Sequence, residues 1–257
     1  MKPLLERHEG ENLRKIEPLK SDHQHLTSPP KEDLRRPTAR QMGYPDALIS
    51  RIPAGAISSF TGVGYFFHLV ELRPGERVVD LGCGSGTDSF IAALYTGVEG
   101  SVVGLDMSTE LLEKARNIRD AHQLQGIEFY AAKIDRLPLP DASTDMVISN
   151  GAIHRASNKA GVFREIGRIL QPGGRLVFAD IVVRTSFPGQ GEARELYRPD
   201  HFDGAVMLEA YIQWIEAAGM KMVIVEDNSQ YGQLLRKKEN CLSRYGLRSI
   251  SLLAIKQ

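Results

Sequence analysis

Arg77-Val-Val-Asp-Leu-Gly-Cys-Gly-Ser-Gly-Thr-Asp88 is the stretch on which the fold turns. Val78-Val79 is an apolar run that reaches an acid, Asp80. Gly82, Gly84 and Gly86 occupy alternate positions, and from Ser89 to Tyr95 the pattern is helical. The reading is strand, tight turn, helix. Glycines at such a turn let a ligand lie against the backbone and tolerate positive φ where side chains do not. The turn delivers a helix N-terminus, with unpaired N–H groups and partial positive charge, to the carboxyl edge of a sheet. In open α/β sheets ligands bind at that edge.

The spacing Gly82-x-Gly84-x-Gly86 differs from the G-x-G-x-x-G that cradles a dinucleotide pyrophosphate. Asp80, just before the first glycine, suits hydrogen bonds from an ammonium group. Ser101-Val-Val-Gly-Leu-Asp106 reads as a second strand ending in an acid. It lies about 20 residues on, where a carboxylate can hold ribose hydroxyls. A ligand with an ammonium and a ribose but no phosphate signature is S-adenosylmethionine. A glycine turn alone also occurs where nothing binds, and it is the spaced Asp106 that sharpens the reading.

Outward from this unit, strands and helices alternate. Strands are expected at 77–81, 101–106, 127–131, 144–149, 175–183, 221–227 and 247–255. Helices are expected at 88–96, 109–124 (with Ser108 as N-cap), 159–170 and 206–218. A short helix over 45–52 and a helical stretch over 65–71 precede them, and a long polar segment joins the last two strands. Alternation of this kind implies a doubly wound α/β sheet, with parallel strands, right-handed crossovers and helices on both faces. The 257 residues are enough for one such domain. Residues 1–40 are polar, with Pro29-Pro30 and mixed charge clusters, and read as a poorly ordered arm or one short helix. His23-Gln-His25 in that arm has no supporting cysteine or acid cluster, and no metal site is expected. Lys and Arg (32) balance Asp and Glu (32), so no net field gathers nucleic acid or an anionic membrane. No apolar run is long enough to span a bilayer, the N-terminal stretch lacks a secretory apolar core, and two cysteines make no disulfide framework. The expected location is the cytoplasm.

Three ordered motifs resemble the class I S-adenosylmethionine-dependent methyltransferases. Val78-Val-Asp-Leu-Gly-Cys-Gly-Ser-Gly86 is similar to their motif I. Gly104-Leu-Asp-Met-Ser-Thr-Glu-Leu-Leu-Glu-Lys-Ala-Arg116 is similar to their second strand and following helix. Arg168-Ile-Leu-Gln-Pro-Gly-Gly-Arg-Leu176 is similar to the turn before their fifth strand. The resemblance covers residues 40–225. Gly43-Tyr-Pro45, Ile52-Pro53, Ser59-Phe-Thr-Gly-Val-Gly64 and Ile148-Ser-Asn150 resemble the arsenite methyltransferase-like branch. The resemblance implies a seven-stranded, mostly parallel sheet whose last strand runs antiparallel, which suits Ser249–Ile255. It also implies a methyltransferase domain over 41–257, with lid helices in 41–75. By motif match, Asp80 lies near the methionine ammonium, Gly82, Gly84 and Gly86 allow close cofactor approach, and Asp106 accepts from the ribose. Met107 and Ile134 pack on adenine, with core filling as the alternative for Met107. Lys133 stands where an acid often receives the adenine amino group, which leaves that contact to backbone or Asp135.

Asn150 ends strand 144–149 beside the expected methyl group, where it is also a candidate to bind the carboxylate region of the cofactor, and His154 follows on the loop. A histidine near neutral pKa can take a proton from an acceptor. These two are the candidate catalytic residues, with capping and packing as the alternatives. Tyr44, Phe60, Tyr65, His154 and His201 are candidate walls of an acceptor pocket. In the resembling arsenite enzymes a thiolate follows the Ser-Asn of strand 4, and soft ligands are what arsenite needs. Here that position is Gly151, the second cysteine position near His201–Ala205 has none, and Cys83 belongs to the glycine turn. The expectation is a methyltransferase acting on a small molecule other than arsenite. The rivals are a catalytically silent cofactor-binding or partner-binding protein, an arsenite methyltransferase with atypical ligands, and an enzyme acting on protein or nucleic acid. Ser149-Asn-Gly-Ala152 lacks the Asn-Pro-Pro-Tyr pattern of base methylation.

Overall fold

The computed structural model of the chain describes residues 38–184, 204–238 and 246–257. Residues up to 37, residues 185–203 with the expected wall residue His201, and residues 239–245 with Cys241 lie outside the described residues.

The first strand, β1 (Arg77–Leu81), runs into the glycine turn and then α1 (Thr87–Thr96). The pattern repeats in β2 (Ser101–Asp106), α2 (Thr109–Ala121), β3 (Ile127–Ala131), β4 (Thr144–Asn150), α3 (Lys159–Ile169) and β5 (Leu170–Val183). A two-residue strand, β6 (Val206–Met207), leads into α4 (Leu208–Ala217), followed by β7 (Met220–Asp227), α5 (Ser229–Lys238) and β8 (Arg248–Lys256). The sheet order is β3-β2-β1-β4-β5-β8-β7, with β6 on β5. Pairs among β1 to β5 are parallel, and β8 runs antiparallel to both β5 and β7. The seven expected strands and the antiparallel last one are all present, and β6 is an addition.

Strand alternation divides the core into two layers. Val78, Val102, Ile148 and Val177 meet Phe90, Leu112 and Phe129 on one face. Val79, Val103, Val147, Leu176 and Phe178 meet Phe163, Ile166, Tyr211 and Ile215 on the other. Ser108 caps α2 by accepting from Leu111 N (3.3 Å), and Asn158 caps α3 by accepting from Gly161 N (2.9 Å). At the amino edge, Arg77 pairs with Asp145 through two hydrogen bonds of 2.9 and 3.0 Å, tying β1 to β4.

Several expected boundaries move. The stretch 65–71 is one short 3-10 turn, Phe67–Leu69, because Phe66 and Phe67 are drawn into the core instead of following one helix face. The helix expected at 45–52 is the single turn Asp46–Ile49 behind Pro45, and a second turn forms at Ala54–Ile57 behind Pro53. Helix α2 stops at Ala121, two residues before Gln123 takes positive φ. The polar segment before the last strand contains α5, in which Tyr231 is buried.

Candidate active site

The glycine turn sits at the carboxyl edge of β1. Gly82, Gly84 and Gly86 have φ of +73°, +55° and +90°, in the left-handed region. Gly82 N donates to Leu105 O (2.7 Å), which holds the turn against β2. A Cβ on Gly82 would fall inside the envelope of the Ala152 methyl, and one on Gly86 would lie 2.9 Å from both Phe90 and Phe129.

Asp80 pairs in register with Gly104 and with Ile148, so Asp80, Asp106 and Asn150 point to one face. Asp106 accepts from Gly84 N (2.9 Å) and Ser108 N (2.8 Å), which shapes the turn and leaves lone pairs for hydroxyl donors. Asp80 is buried and accepts from Ser89 Oγ (2.6 Å). Burial first, and then the Asp88 charge, push its carboxyl well above the usual range. Asp88, in the first turn of α1, is also buried, and burial raises it to about 6 although Tyr44 and Asn150 donate to it. Among the described residues no cation pairs with Asp80 or Asp88. Two buried acids without a counter-ion are a poor structural element and a good receptor for an ammonium group. Beside them, Met107 is 50% exposed at the end of β2. It is therefore not core filling, and it offers an apolar surface to a flat ring. Ile134 is half-buried against the opposite core layer, and Lys133 is exposed. S-adenosylmethionine is the cofactor that this donor set fits.

The segment before β1 closes over the cradle. Ser85 and Thr87 donate their hydroxyls to Ala56 O (3.3 and 2.9 Å). Tyr44 donates to Asp88 Oδ1 (2.6 Å) and stacks edge-on against Phe60 and Tyr65, with ring centroids 5.1 and 5.0 Å away. Asn150 accepts from Val63 N (2.7 Å) and shares its two N–H groups among Tyr44 Oη (2.8 Å), Gly64 O (2.9 Å) and Asp88 Oδ2 (3.1 Å). Tyr44, Phe60, Tyr65 and Asn150 thus converge. Here Asn150 works as a latch between the cover and the cradle.

His154 does not join that cluster. Asn150 pairs in register with Ala179, so the next residue, Asp180, points to the other face. His154 is on that side, on the 3-10 turn Ile153–Arg155 after β4. Its N–H donates to Asp180 Oδ2 (2.7 Å) and its Nδ1 meets Asp180 Oδ1. Tyr211 Oη donates to the same carboxylate (2.9 Å). Asp88, Asp180 and Tyr211 were not singled out from sequence. Asp180 carried a signal, since it is the lone charge in the apolar run Leu176–Val183 and such a charge needs buried partners.

A family model described as a methyltransferase domain matches residues 72–238, more than half of the chain. The chain belongs to this methyltransferase-domain family. Its curated relatives include an arsenite methyltransferase of Halobacterium salinarum, 34% identical over 168 residues, which are 65% of this chain and 42% of that protein. A 27-O-demethylrifamycin SV methyltransferase of Amycolatopsis mediterranei is 31% identical over 166 residues, 63% of this chain and 60% of that protein. The chain therefore spans less than two thirds of the length of these relatives. Among solved structures, an arsenic(III) S-adenosylmethionine methyltransferase from Chlamydomonas reinhardtii superposes with a TM-score of 0.68 at 27% identity, covering 81% of this chain and 71% of that one. No described helix of this methyltransferase domain is long and apolar enough to cross a membrane.

The acid pair makes cofactor affinity depend on pH. Asp88 has a folded-state value of about 6, above its ordinary 3.8, so its burial is tolerated when protonated and the associated stability is lost as pH rises from 3.8 through 6. A bound ammonium favours the ionised form, so S-adenosylmethionine binding should tighten as pH rises from 5 to 7.5. Each unit by which the cation lowers that value is worth about tenfold in Kd. Calorimetric titrations at both pH values check this, and Asp88→Asn should flatten the dependence.

Proposed function

We propose that the protein transfers the methyl group of S-adenosylmethionine to a small-molecule acceptor other than arsenite. The observation that carries this is the acid couple Asp80 and Asp88, without a counter-ion among the described residues, set behind a positive-φ glycine turn with Asp106 beside it. Asp80 and Asp88 hold the ammonium, Asp106 the ribose hydroxyls, and Met107 covers adenine, with Ile134 a further expected adenine contact. The cofactor supplies an activated methyl group, so the protein's share is alignment and exclusion of water. The latch of Asn150, Tyr44 and Asp88 draws the cover over the reacting centre, with Phe60 and Tyr65 in the same wall. His154, buried against Asp180 on the opposite face, stands apart from this wall.

The relatives' arsenic chemistry is not carried over. Position 151 is glycine, where its φ of +68° suits the turn. The Cys83 thiol is buried, and burial followed by the charges of Asp80 and Asp106 pushes it well up, so it stays a thiol and not a soft thiolate ligand. A cytoplasmic setting, which keeps such a thiol reduced, goes with this reading.

Calorimetry with S-adenosylmethionine, followed by incubation with the cofactor, a reduced thiol and arsenite, tests both halves. The expected result is binding without methylated arsenic above the no-enzyme control. Failure to bind at millimolar cofactor removes the whole reading. Methylated arsenic would return arsenite to the acceptors, held by other ligands.

A further inference from the structure

Asp80 and Asp88, the acids that would hold the cofactor ammonium, are 2% and 6% exposed. A charged group arriving from water reaches them only after something moves. Below them is the sheet. Above them is the cover, residues 38–65, and its attachments are of two kinds.

From Val63 to Tyr65 the cover is fastened by side chains to its backbone. Val63 N donates to Asn150 Oδ1 (2.7 Å). The carbonyls of Val63, Gly64 and Tyr65 accept in turn from Ser249 Oγ (2.7 Å), Asn150 Nδ2 (2.9 Å) and Ser251 Oγ (3.3 Å). Three successive residues are thus tied to β4 and β8. A Cβ on Gly64 would lie 2.1 Å from the Asn228 amide, so this stretch has no slack and serves as an anchor. Before it, the main polar attachment ends on a group that the cofactor itself claims. Tyr44 Oη donates to Asp88 Oδ1 (2.6 Å), and Asn150 Nδ2 donates to Tyr44 Oη (2.8 Å) and Asp88 Oδ2 (3.1 Å). Burial and then the Asp88 charge push the Tyr44 phenol well up, so it remains a donor. Tyr44 and Asn150 therefore give Asp88 the hydrogen bonds that an ammonium would give. They do so as neutral groups, and a cation is the stronger partner for an ionised carboxylate. Met42, Leu48 and Ile52 are buried in the same segment, which keeps any open form a minor one.

Resting on the cofactor reading, we infer that residues 40–60 are a gate hinged on the Val63–Tyr65 anchor, that the Tyr44–Asp88 hydrogen bond is its catch, and that the ammonium of S-adenosylmethionine takes the place of Tyr44 on Asp88. The exchange is one of hydrogen-bond partners, and no covalent bond is made or broken. Cofactor entry waits for the minor open form, and uptake is slowed by the fraction of molecules that are open. The anchor returns the gate to the same register each time it closes.

The test is the rate of S-adenosylmethionine association, followed by surface plasmon resonance on the immobilised full chain. Tyr44→Phe keeps the ring and its packing and removes the catch. Loss of a hydrogen bond to a charged group shifts such an equilibrium by roughly tenfold to a hundredfold, so the variant should take up the cofactor at least about tenfold faster. A side chain that merely lined the pocket would act on dissociation and leave association unchanged or slower. Association unchanged or slower in folded Tyr44→Phe overturns the inference. Hydrogen exchange of the wild type decides the matter even if that variant fails to fold. Residues 84–89 lie under the cover, with Ser85 and Thr87 bonded to Ala56 O and Asp88 to Tyr44. In low urea their amides should exchange through a local opening, with a weaker urea dependence than those of β1 and β4. Saturating S-adenosylmethionine should slow them by about tenfold or more. Exchange of 84–89 only together with β1 and β4 means that the cover does not open, and it overturns the gate. Calorimetry on the same sample separates the two readings. Absence of binding at millimolar cofactor loses the cofactor reading beneath, whereas binding with equal association rates in wild type and variant loses the gate alone.

Discussion

Gly82→Ala should lower the melting temperature by about 10 °C and weaken S-adenosylmethionine binding by at least tenfold. Two independent effects add. At a φ of +73° an L side chain is strained by roughly 1–2 kcal/mol. The new methyl group also collides with that of Ala152, and overpacking of a dense interior costs about 1–3 kcal/mol. Neither side can easily give way. Gly82 N is bonded to Leu105 O, and the chain leading to Ala152 is pinned by Gly151 N donating to Ala179 O (2.8 Å). For a chain of this size each kcal/mol moves the melting temperature by about 2–4 °C. Gly173→Ala is the control, because its φ is also positive, +75°, but nothing lies within 4 Å of an added Cβ. If the two variants melt alike, the turn is softer than described, and the cradle is not the rigid element that cofactor binding needs.

Asp180→Ala should be the most destabilising single substitution of a charged residue, at about 3–5 kcal/mol in urea unfolding. It removes the carboxylate shared by the His154 ring and N–H, the Tyr211 hydroxyl and the Ile181 N–H, all at a fully buried position. Tyr211→Phe removes one donor and should cost about 1–2 kcal/mol. The double variant should fall short of the sum, because once the carboxylate is gone the hydroxyl has no partner to lose. Full additivity would mean that Tyr211 and Asp180 act separately, against the hydrogen bond between them. Salt-bridged surface pairs offer the contrast. Arg40–Asp46 is exposed on both sides, and its removal should be hardly measurable.

Asn150 illustrates how a correct local reading stops short of a role. Its position at the end of β4 follows from the apolar run before it, and the sequence places it at the carboxyl edge. That its amide is consumed by Val63, Gly64, Tyr44 and Asp88 depends on residues 62 to 106 positions away. The same holds for Gly62, where a Cβ would lie 2.7 Å from the Asn150 amide. In sequence that glycine reads as loop, and in the fold it is a contact surface.

Apart from the antiparallel last strand, which the family resemblance implied, the sequence by itself determined the strand, turn and helix at residues 77–96, the repeat of that unit and the placing of Asp80 and Asp106 at one sheet edge. Those features rest on local periodicity, on glycine's freedom at positive φ and on chirality, all of which operate over a few residues. The tertiary structure alone decided that Asn150 and His154, four residues apart, face different core layers, and that Asp88 sits beside Asp80 with no counter-ion among the described residues. It alone joined Asp180 to a histidine 26 residues before it and a tyrosine 31 residues after it. The reason is register. A strand shows which residues share a face, but which strand lies beside it, and at what offset, is settled by packing across the whole sheet.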